Sequence, residues 1–375
     1  MIPLIRPDIH FEEVEADISA ILKSGMLTQG AYVKKFERMV ADYVGVEHAF
    51  STTSGTTALH LVLSALEIGV GDEVLVSDFT FPASGNAIVQ TGGKPVLVDC
   101  VPDRFDLDIR DVKKKLSPKT RAIMPVSPFG QPANMPALIE FAEQNNLFVI
   151  EDAACALGAE INGCRSGAWK GAGCFSFHPR KVITTGEGGM ITTDDEDLAQ
   201  KISVLQNHGG IISGDGITFE ISGFKYRMSE IQAALGIAQM KRLDEILSDR
   251  RCTAKIYFER LAEFDSISVP LSASAEQCTF QSFVILLEEG TDRSAVIRYM
   301  KEQGIETTLG TYSMHGHQAF SRFGYEPGSL PNSWFNQKYS LTLPLLPKMK
   351  AKTIDQIVFA LKNALKKLKQ ITRSL

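Results

Sequence analysis

Short apolar runs alternate with longer segments of helical periodicity between about residue 50 and residue 195. Several runs are apolar throughout, which is typical of strands in a parallel sheet that is covered on both faces. We expect strands at Glu73–Val76, Val96–Asp99, Ala122–Val126, Leu147–Asp152, Cys174–Phe177 and Met190–Thr193. Between them, Met135–Gln144 has apolar residues at helical spacing with turn residues at its ends. This alternation predicts a wound α/β sheet.

The pattern changes after Arg227. A long helix is predicted there, and we expect it to continue through Met240 and Leu243. Its apolar face comprises Ile231, Ala234, Leu235 and Ala238. Because such a helix commonly joins two domains, we place a boundary near residue 245. The remainder mixes strands and helices in an α+β pattern, with elements expected at Ser282–Leu287, Asp292–Gln303 and Ile354–Leu368. The sequence therefore predicts a large domain over residues 1–245, with an N-terminal arm, and a small domain over residues 246–375.

The composition is that of an ordinary globular protein, with 375 residues, 44% hydrophobic and 22% charged. The net charge of -5 gives no indication of a nucleic-acid partner. No apolar stretch approaches the roughly 20 residues that cross a bilayer, and the N-terminus turns acidic before a signal peptide could form. The six cysteines form no CxxC pair, so we expect reduced thiols, no metal site and a cytoplasmic location.

One stretch combines a strand-end carboxylate with a loop lysine. Asp152 ends a predicted strand, and ligands of open α/β sheets gather at the carboxyl ends of strands. Lys181 lies four residues after the strand Cys174–Phe177, where the loop becomes glycine-rich. Taken singly, the aspartate is typical of a helix cap and the lysine of a surface charge. Together they suit pyridoxal phosphate (PLP), since a lysine amine forms a Schiff base with its aldehyde and a carboxylate keeps its pyridine nitrogen protonated.

A third feature suits a phosphate group. The hydroxyl residues and the glycine of Thr53–Thr57 (TSGTT) precede a helical stripe that begins at Ala58. A helix start of this kind presents free N–H groups and the positive end of the helix dipole to an anion. An ordinary Ser/Thr cap of the helix is the alternative interpretation. Ser176, just before the lysine loop, could add another hydroxyl.

Five ordered segments carry a resemblance to a known family: TSGTTAL, DFTFPAS, EDAACALGA, SFHPRKVITTGEGGM and GFKYRMSEIQAALG. In this combination the chain resembles the sugar aminotransferases of the DegT/StrS type, which are fold-type I PLP enzymes with the architecture of aspartate aminotransferase. The match runs from LTQG at Leu27–Gly30 to SLTLPLLP at Ser340–Pro347. It implies a large domain with a mostly parallel seven-stranded sheet flanked by helices, and a smaller α+β domain.

The resemblance implies roles for individual residues. Lys181 would carry the cofactor and then act as the acid and base of the proton shift, and Asp152 would pair with the pyridine nitrogen. Phe81 matches the aromatic residue that stacks on the cofactor ring, with a core phenylalanine as the alternative. The implied phosphate ligands are Gly55, Thr56, Thr57 and Ser176.

Lys225 matches a position, often asparagine in relatives, that contacts the phosphate from the neighbouring subunit. The resemblance therefore implies a homodimer with shared active sites, while a solvated loop lysine is the alternative. Cys155 departs from the family, which usually has glutamine, histidine or glutamate near the cofactor's phenolic oxygen. Because a thiol is a weaker donor, we expect Cys155 to tune the cofactor or to reshape the room for substrate.

Four further residues are candidates for the substrate site. His178 lies beside the lysine loop, and we expect it to be structural or to line the substrate, because Lys181 already serves the proton transfers. The other three align with regions that border the sugar or nucleotide in relatives: Thr28, Tyr312 and His315.

The expected reaction moves an amino group from L-glutamate to a nucleotide-linked keto-deoxy sugar, by analogy a 4-keto-6-deoxyhexose, for surface polysaccharide or glycan synthesis. A cyclitol or antibiotic-sugar acceptor with glutamine as donor is the alternative, because the same scaffold serves those substrates. A third hypothesis is a PLP-fold dehydratase or a regulator. Dehydratase relatives carry histidine in place of the cofactor lysine, whereas this chain keeps Lys181.

Overall fold

The computed structural model describes residues 1–213, 216–271 and 274–374. A seven-stranded sheet forms its centre, in the spatial order His48–Thr52, Gly189–Thr193, Ala172–Ser176, Phe148–Asp152, Thr120–Met124, Glu73–Ser77 and Lys94–Val98. The strand Gly189–Thr193 is antiparallel to both of its neighbours, and the other neighbouring pairs are parallel. The expected mostly parallel seven-stranded sheet is therefore confirmed.

Alternate residues of the central strands point into separate hydrophobic layers. In the strand Glu73–Ser77, Val74 and Val76 belong to one buried cluster, whereas Leu75 belongs to a cluster on the opposite face. Both faces are covered by helices, which explains why the strand is apolar throughout. The helices of this part of the chain are Glu15–Ser24, Ala31–Val44, Gly55–Ala65, Ala83–Gln90, Ile109–Lys115, Met135–Gln144, Glu196–Leu205 and Glu230–Met240.

The edge strand His48–Thr52 was not among the predicted strands, because its sequence, HAFST, carries little apolar pattern. Its polar end is nevertheless buried. The backbone N–H and the hydroxyl of Ser51 both donate to Oε1 of Glu37, at 2.8 and 2.7 Å. A partner from a neighbouring helix therefore satisfies a polar strand that the hydrophobic pattern alone does not reveal.

The long helix expected through Met240 and Leu243 is wrong, since two helices meet there. The first ends at Met240, and the second, Leu243–Leu261, begins after Arg242, whose φ of -116° and ψ of 12° leave the helical range. The Arg242 guanidinium contacts the carboxylates of Asp8 and Glu13 at 3.2 and 3.0 Å. The apolar pattern continues across the break, so the local sequence does not reveal it.

A second, four-stranded antiparallel sheet follows, in the order Ile267–Ser268, Phe283–Leu287, Ser340–Leu343 and Thr308–Leu309. The helices in this part of the chain are Leu243–Leu261, Arg293–Glu302, Gln318–Ser321, Pro331–Tyr339 and Ala351–Ser374. Phe320, in the helix Gln318–Ser321, packs in a core of the first sheet. The second sheet has its own core, in which the rings of Tyr257 and Phe283 stack with centroids 4.6 Å apart. Residue 245 lies inside the helix Leu243–Leu261, which packs on the first unit through Ile246 and Leu247 and on the second core through Tyr257 and Leu261. The domain division stays a prediction.

The first residues of the chain contact the second unit. Ile2 pairs with Ile305, and its N–H donates to the carbonyl oxygen of Gly304 at 2.6 Å. The two units are also joined by a small antiparallel ladder between Phe79–Thr80 and Tyr312–Ser313. In the described part of the chain, no helix has both the length and the apolarity required to cross a bilayer.

Candidate active site

Asp152 is a buried carboxylate at the carboxyl end of a central strand, and it is 5% exposed. Its Oδ2 accepts a hydrogen bond of 2.6 Å from the Ser84 hydroxyl, and its Oδ1 accepts one of 3.2 Å from the N–H of Ala154. Burial raises the pKa of Asp152 above its ordinary value, while Ser84 and the positive charge of Lys181 act in the opposite direction. The carboxylate is therefore fixed in place and is electrostatically coupled to the lysine.

Lys181 lies in the loop that follows the strand Ala172–Ser176, and its side chain is partly buried. Its N–H donates to the carbonyl oxygen of His178 at 2.9 Å, which closes a tight turn. Its Nζ lies 3.2 Å from Sγ of Cys155. The positive charge of Lys181 also acts to lower the pKa of Asp152. The fold therefore brings the amine, the thiol and the carboxylate to one end of the sheet.

The predicted phosphate cradle is the start of the helix Gly55–Ala65. Ser54 caps this helix, and the Thr57 hydroxyl accepts from the Ser54 N–H at 2.9 Å, which forms a capping box. The N–H groups of Gly55 and Thr56 lie in the first turn, where a helix has no internal acceptor for them. They are thus available to an anion, whereas the Thr57 hydroxyl belongs to the cap.

Gly55 also allows the strand Ala172–Ser176, which precedes the Lys181 loop, to lie against this helix start. A Cβ atom at Gly55 would lie only 2.9 Å from Cβ of Ser176 and 3.3 Å from the carbonyl oxygen of Phe175. The close approach therefore requires glycine and places Ser176, the last residue of its strand, beside the first helical turn. Two segments that are more than a hundred residues apart in sequence form one cradle.

These residues fit PLP. The cradle without a side chain at Gly55 offers N–H groups to a phosphate, the loop offers the amine of Lys181, and Asp152 offers a buried carboxylate for a protonated ring nitrogen. Cys155 lies beside the amine. The sequence predicted each of these positions, and the fold adds that their segments converge.

Phe81 and Tyr312 lie near each other at the surface, with ring centroids 6.3 Å apart. The ladder between Phe79–Thr80 and Tyr312–Ser313 brings them together. Phe81 is 66% exposed, which excludes the alternative of a core phenylalanine and leaves its ring face free for a flat ligand. Its stacking role remains a proposal.

His178 and Thr28 have more local contacts. The Nδ1 atom of His178 accepts from the N–H of Arg180 at 3.2 Å, and burial lowers the pKa of this histidine. These observations favour a structural role for His178 in the lysine loop. Thr28 is exposed, and its backbone pairs with that of Ser229 near the start of the helix Glu230–Met240.

The structure does not place His315 at the site surface as expected. Its side chain is fully buried, and its Nδ1 lies 2.6 Å from Oδ2 of Asp78. Its Nε2 accepts from the N–H of Gly328 at 3.0 Å. Both ring nitrogens are therefore occupied by the protein, and we correct its role from substrate contact to a structural link between the two units.

Lys225 is exposed, and among the residues described its ammonium group has no hydrogen-bond or ion-pair partner. The adjacent hairpin is formed by Gly210–Ser213 and Gly216–Phe219, and its second strand is also exposed. Large apolar side chains lie on and beside it, namely Ile211, Ile217, Phe219 and Ile221. An exposed apolar surface of this kind is typical of an interface between subunits.

Sequence reasoning missed three residues that hold the site together. The hydroxyl of Ser84 donates to Asp152, and the hydroxyl of Thr279 donates to the carbonyl oxygen of Cys155. The side-chain amide of Gln281 donates to the carbonyl oxygen of Arg180. Ser84 lies within the DFTFPAS segment, so its place in a family motif was a usable signal. The other two precede a strand of the second sheet, and nothing in the local pattern around them indicates a contact with the first.

The model of the DegT/DnrJ/EryC1/StrS aminotransferase family matches residues 8–362. The chain is 39% identical to GDP-perosamine synthase of Caulobacter vibrioides, over 90% of this chain and 91% of that protein. It is 35% identical to the spore coat polysaccharide biosynthesis protein SpsC of Bacillus subtilis, over 97% of each. The structure of the putative sugar aminotransferase Spr1654 of Streptococcus pneumoniae in its PMP form matches with a TM-score of 0.94 and 27% identity, over 99% of each chain. Its PLP form matches with a TM-score of 0.92.

Proposed function

This chain belongs to the DegT/DnrJ/EryC1/StrS aminotransferase family of PLP-dependent sugar aminotransferases, and we propose that it moves an amino group from L-glutamate to a nucleotide-linked keto-deoxy sugar. One observation carries the proposal: the amine of Lys181, the buried carboxylate of Asp152 and the helix start at Gly55 converge at one end of the sheet. Each suits a different part of a single cofactor.

PLP, when bound, supplies an electron sink that stabilises the negative charge left when a proton departs from the carbon bearing the amino group. The chain's own residues then have separate tasks. Asp152, which Ser84 orients, would keep a proton on the ring nitrogen. The N–H groups at Gly55 and Thr56 would bind the phosphate. Lys181 would hold the cofactor covalently and, once released, would move a proton between the carbon bearing the amino group and the cofactor carbon joined to that nitrogen.

The acceptor is proposed from the relatives' names. GDP-perosamine synthase is named for a nucleotide-linked sugar, and SpsC is named for polysaccharide biosynthesis. These names support a nucleotide-linked acceptor in a route to surface polysaccharide or glycan, and by analogy with the family we favour a 4-keto-6-deoxyhexose linked to a nucleoside diphosphate. The exposed ring of Phe81 and the partly buried ring of Tyr312, whose centroids lie 6.3 Å apart, suit a ligand with flat and apolar faces.

We further propose that the active unit is a homodimer with shared sites. The exposed ammonium of Lys225 adjoins the apolar hairpin, which suits insertion into a partner subunit beside its phosphate cradle. The ammonium group of Lys225 would help there to neutralise the phosphate dianion. We also propose a cytoplasmic location, because the six cysteines form no CxxC pair and a chain of this length needs no disulfides.

A donor-and-acceptor panel tests this function. PLP-loaded protein would be incubated with GDP- and TDP-linked 4-keto-6-deoxyhexoses or with a free cyclitol ketone, each with glutamate or glutamine. Release of the donor's oxoacid and the mass of the aminated acceptor would be measured. We expect turnover with glutamate and a nucleotide sugar only. Turnover with the cyclitol ketone alone, or with glutamine alone, would favour the second hypothesis, and loss of water from the sugar without amination would favour a dehydratase.

A further inference from the structure

A buried three-residue segment, which precedes the strand Phe283–Leu287, touches both backbone stretches around the Lys181 amine. We call this segment, from Thr279 to Gln281, the clasp. The Thr279 hydroxyl donates to the carbonyl oxygen of Cys155 at 3.0 Å, and the Gln281 side-chain amide donates to the carbonyl oxygen of the residue before Lys181. Both halves of the thiol–amine contact are thus held by one piece of the second unit.

The clasp fits closely against a glycine. The Thr279 N–H donates to the carbonyl oxygen of Gly130 at 2.8 Å. Gly130 has a φ of +84°, and a Cβ atom there would lie 1.8 Å from Oγ1 of Thr279 and 3.0 Å from the carbonyl oxygen of Cys155. Only glycine allows both this backbone conformation and this approach. There is therefore no space between Gly130 and Thr279 into which the clasp could move.

The clasp also holds a backbone conformation that is unusual for its residue. Phe280 has a φ of 47°, which is uncommon for a bulky side chain. Its ring is buried and lies near those of Phe258 and Phe283, at centroid distances of 5.9 and 6.2 Å. Arg250 donates to the carbonyl oxygen of Gln281 at 3.3 Å. Such strain persists only where the surroundings fix the chain, so the clasp is a rigid support.

We propose that Thr279 and Gln281 are positioning residues of the active site, which fix the Cys155 thiol and the Lys181 amine relative to each other. The inference rests on the proposed function, because this geometry matters to the reaction only if Lys181 holds the cofactor. Neither side chain touches the amine, and each acts through a backbone carbonyl group. Loss of either bond would let the 3.2 Å contact between sulfur and nitrogen change, and with it the protonation of the lysine–cofactor link.

Two substitutions of Thr279 separate its bond from its bulk. Thr279→Val keeps the shape but loses the donor, whereas Thr279→Ser keeps the donor. In PLP-loaded protein, we expect Thr279→Val to shift the pH midpoint of the visible absorption by about half a unit or more. We also expect it to lower kcat about tenfold at a similar KM, because a small misplacement of a reacting group is costly. Thr279→Ser should match the unsubstituted protein in both.

Thr342 provides a matched control. It is 2% exposed, and its hydroxyl donates to the carbonyl oxygen of Leu309 at 2.9 Å within the second sheet. Thr342→Val should lower thermal stability about as much as Thr279→Val and leave the absorption midpoint unchanged. The proposal is overturned if Thr279→Val leaves the midpoint where it was, or if Thr279→Ser moves it as far as Thr279→Val does.

Cofactor-free protein supplies a second readout, which also separates this inference from the proposed function. Iodoacetamide would alkylate the cysteines, and mass spectrometry would follow Cys155, with the exposed Cys252 as internal reference. We expect Thr279→Val and Gln281→Leu to change the rate at Cys155 several-fold and to leave the rate at Cys252 unchanged. Unchanged rates at Cys155 contradict the clasp. Absence of cofactor on Lys181 in the unsubstituted protein contradicts the proposed function instead, and alkylation then decides the clasp.

Discussion

The hydroxyl of Ser84 lies 2.6 Å from Oδ2 of Asp152 and donates a hydrogen bond to it inside the protein. Ser84 belongs to the helix Ala83–Gln90, whereas Asp152 ends a central strand. The bond opposes the effect of burial on the pKa of the carboxyl group. It therefore helps Asp152 to stay ionised where a protonated cofactor nitrogen would need it.

Ser84→Ala should weaken PLP binding. A hydrogen bond to a charged group contributes about 1.5–3 kcal/mol, so we expect the Kd for PLP to rise about tenfold or more. Fluorescence titration of cofactor-free protein would measure it. Ser340→Ala is a suitable control, because Ser340 is equally buried and accepts a bond of 3.2 Å from the N–H of Gly310 in the second sheet. Equal affinities for both variants would contradict this role of Ser84.

Asp152→Asn should change stability in opposite directions without and with cofactor. Burial raises the folded-state pKa of Asp152 in the cofactor-free protein, so folding favours its protonated form. The stability that this protonation contributes is complete below the unfolded pKa of about 4 and is lost as the pH rises through the folded pKa. The Asp152→Asn variant does not lose stability in this way, because its side chain does not titrate.

The stability of cofactor-free Asp152→Asn, relative to the unsubstituted protein, should therefore increase as the pH rises. With PLP present, the unsubstituted protein should gain more stability, because only the carboxylate can pair with a protonated ring nitrogen. Urea denaturation across the pH range, with and without PLP, measures both effects. Parallel pH curves for the two cofactor-free proteins would show that the buried charge of Asp152 has no such effect.

Gly55→Ala should damage the phosphate cradle. The added methyl group would lie 2.9 Å from Cβ of Ser176, so the strand Ala172–Ser176 and the helix start must separate. We expect a loss of about 1 kcal/mol or more in the free energy of unfolding and about tenfold weaker PLP binding. Gly69→Ala is the control, since its methyl group would meet nothing closer than 3.9 Å. Unchanged PLP affinity in Gly55→Ala would argue against a phosphate at this helix start.

Much of this site could be predicted from local sequence. Lys181 and Asp152 follow strand-like runs, and the TSGTT segment precedes a helical stripe, so order and spacing were informative. The helix Met135–Gln144 has the bounds predicted for it, because apolar spacing and turn residues agree there. The pattern is less informative where polar groups are satisfied by distant partners. It did not predict the strand that contains Ser51, and it predicted one continuous helix where two helices meet at Arg242.

His315 shows the limit of inference from a resemblance. The resemblance implied that its position borders the substrate, yet the Asp78 carboxylate and the N–H of Gly328 occupy both of its ring nitrogens. Thr279 and Gln281 show the converse limit, since their contacts with the carbonyl oxygens of Cys155 and Arg180 depend on how two separately folded sheets meet. Neither kind of contact is encoded in a local period or motif.

The shared-site dimer predicts complementation between two inactive variants. Lys225→Ala should lose most activity, and Lys225→Arg should keep much of it because the charge remains. Co-expressed Lys181→Ala and Lys225→Ala chains would form mixed dimers with one intact site, so random pairing should recover about a quarter of normal activity. No recovery beyond the separate variants would show that Lys225 serves its own chain or that no shared site exists.

The attachment of PLP to Lys181 is the central claim, and borohydride reduction followed by peptide mass spectrometry tests it most directly. Reduction makes the bond between cofactor and amine permanent, so digestion should yield one phosphopyridoxyl peptide, modified at Lys181. Folded Lys181→Ala protein should yield none. A label on another lysine, or an unlabelled Lys181 in protein saturated with PLP, would contradict the account.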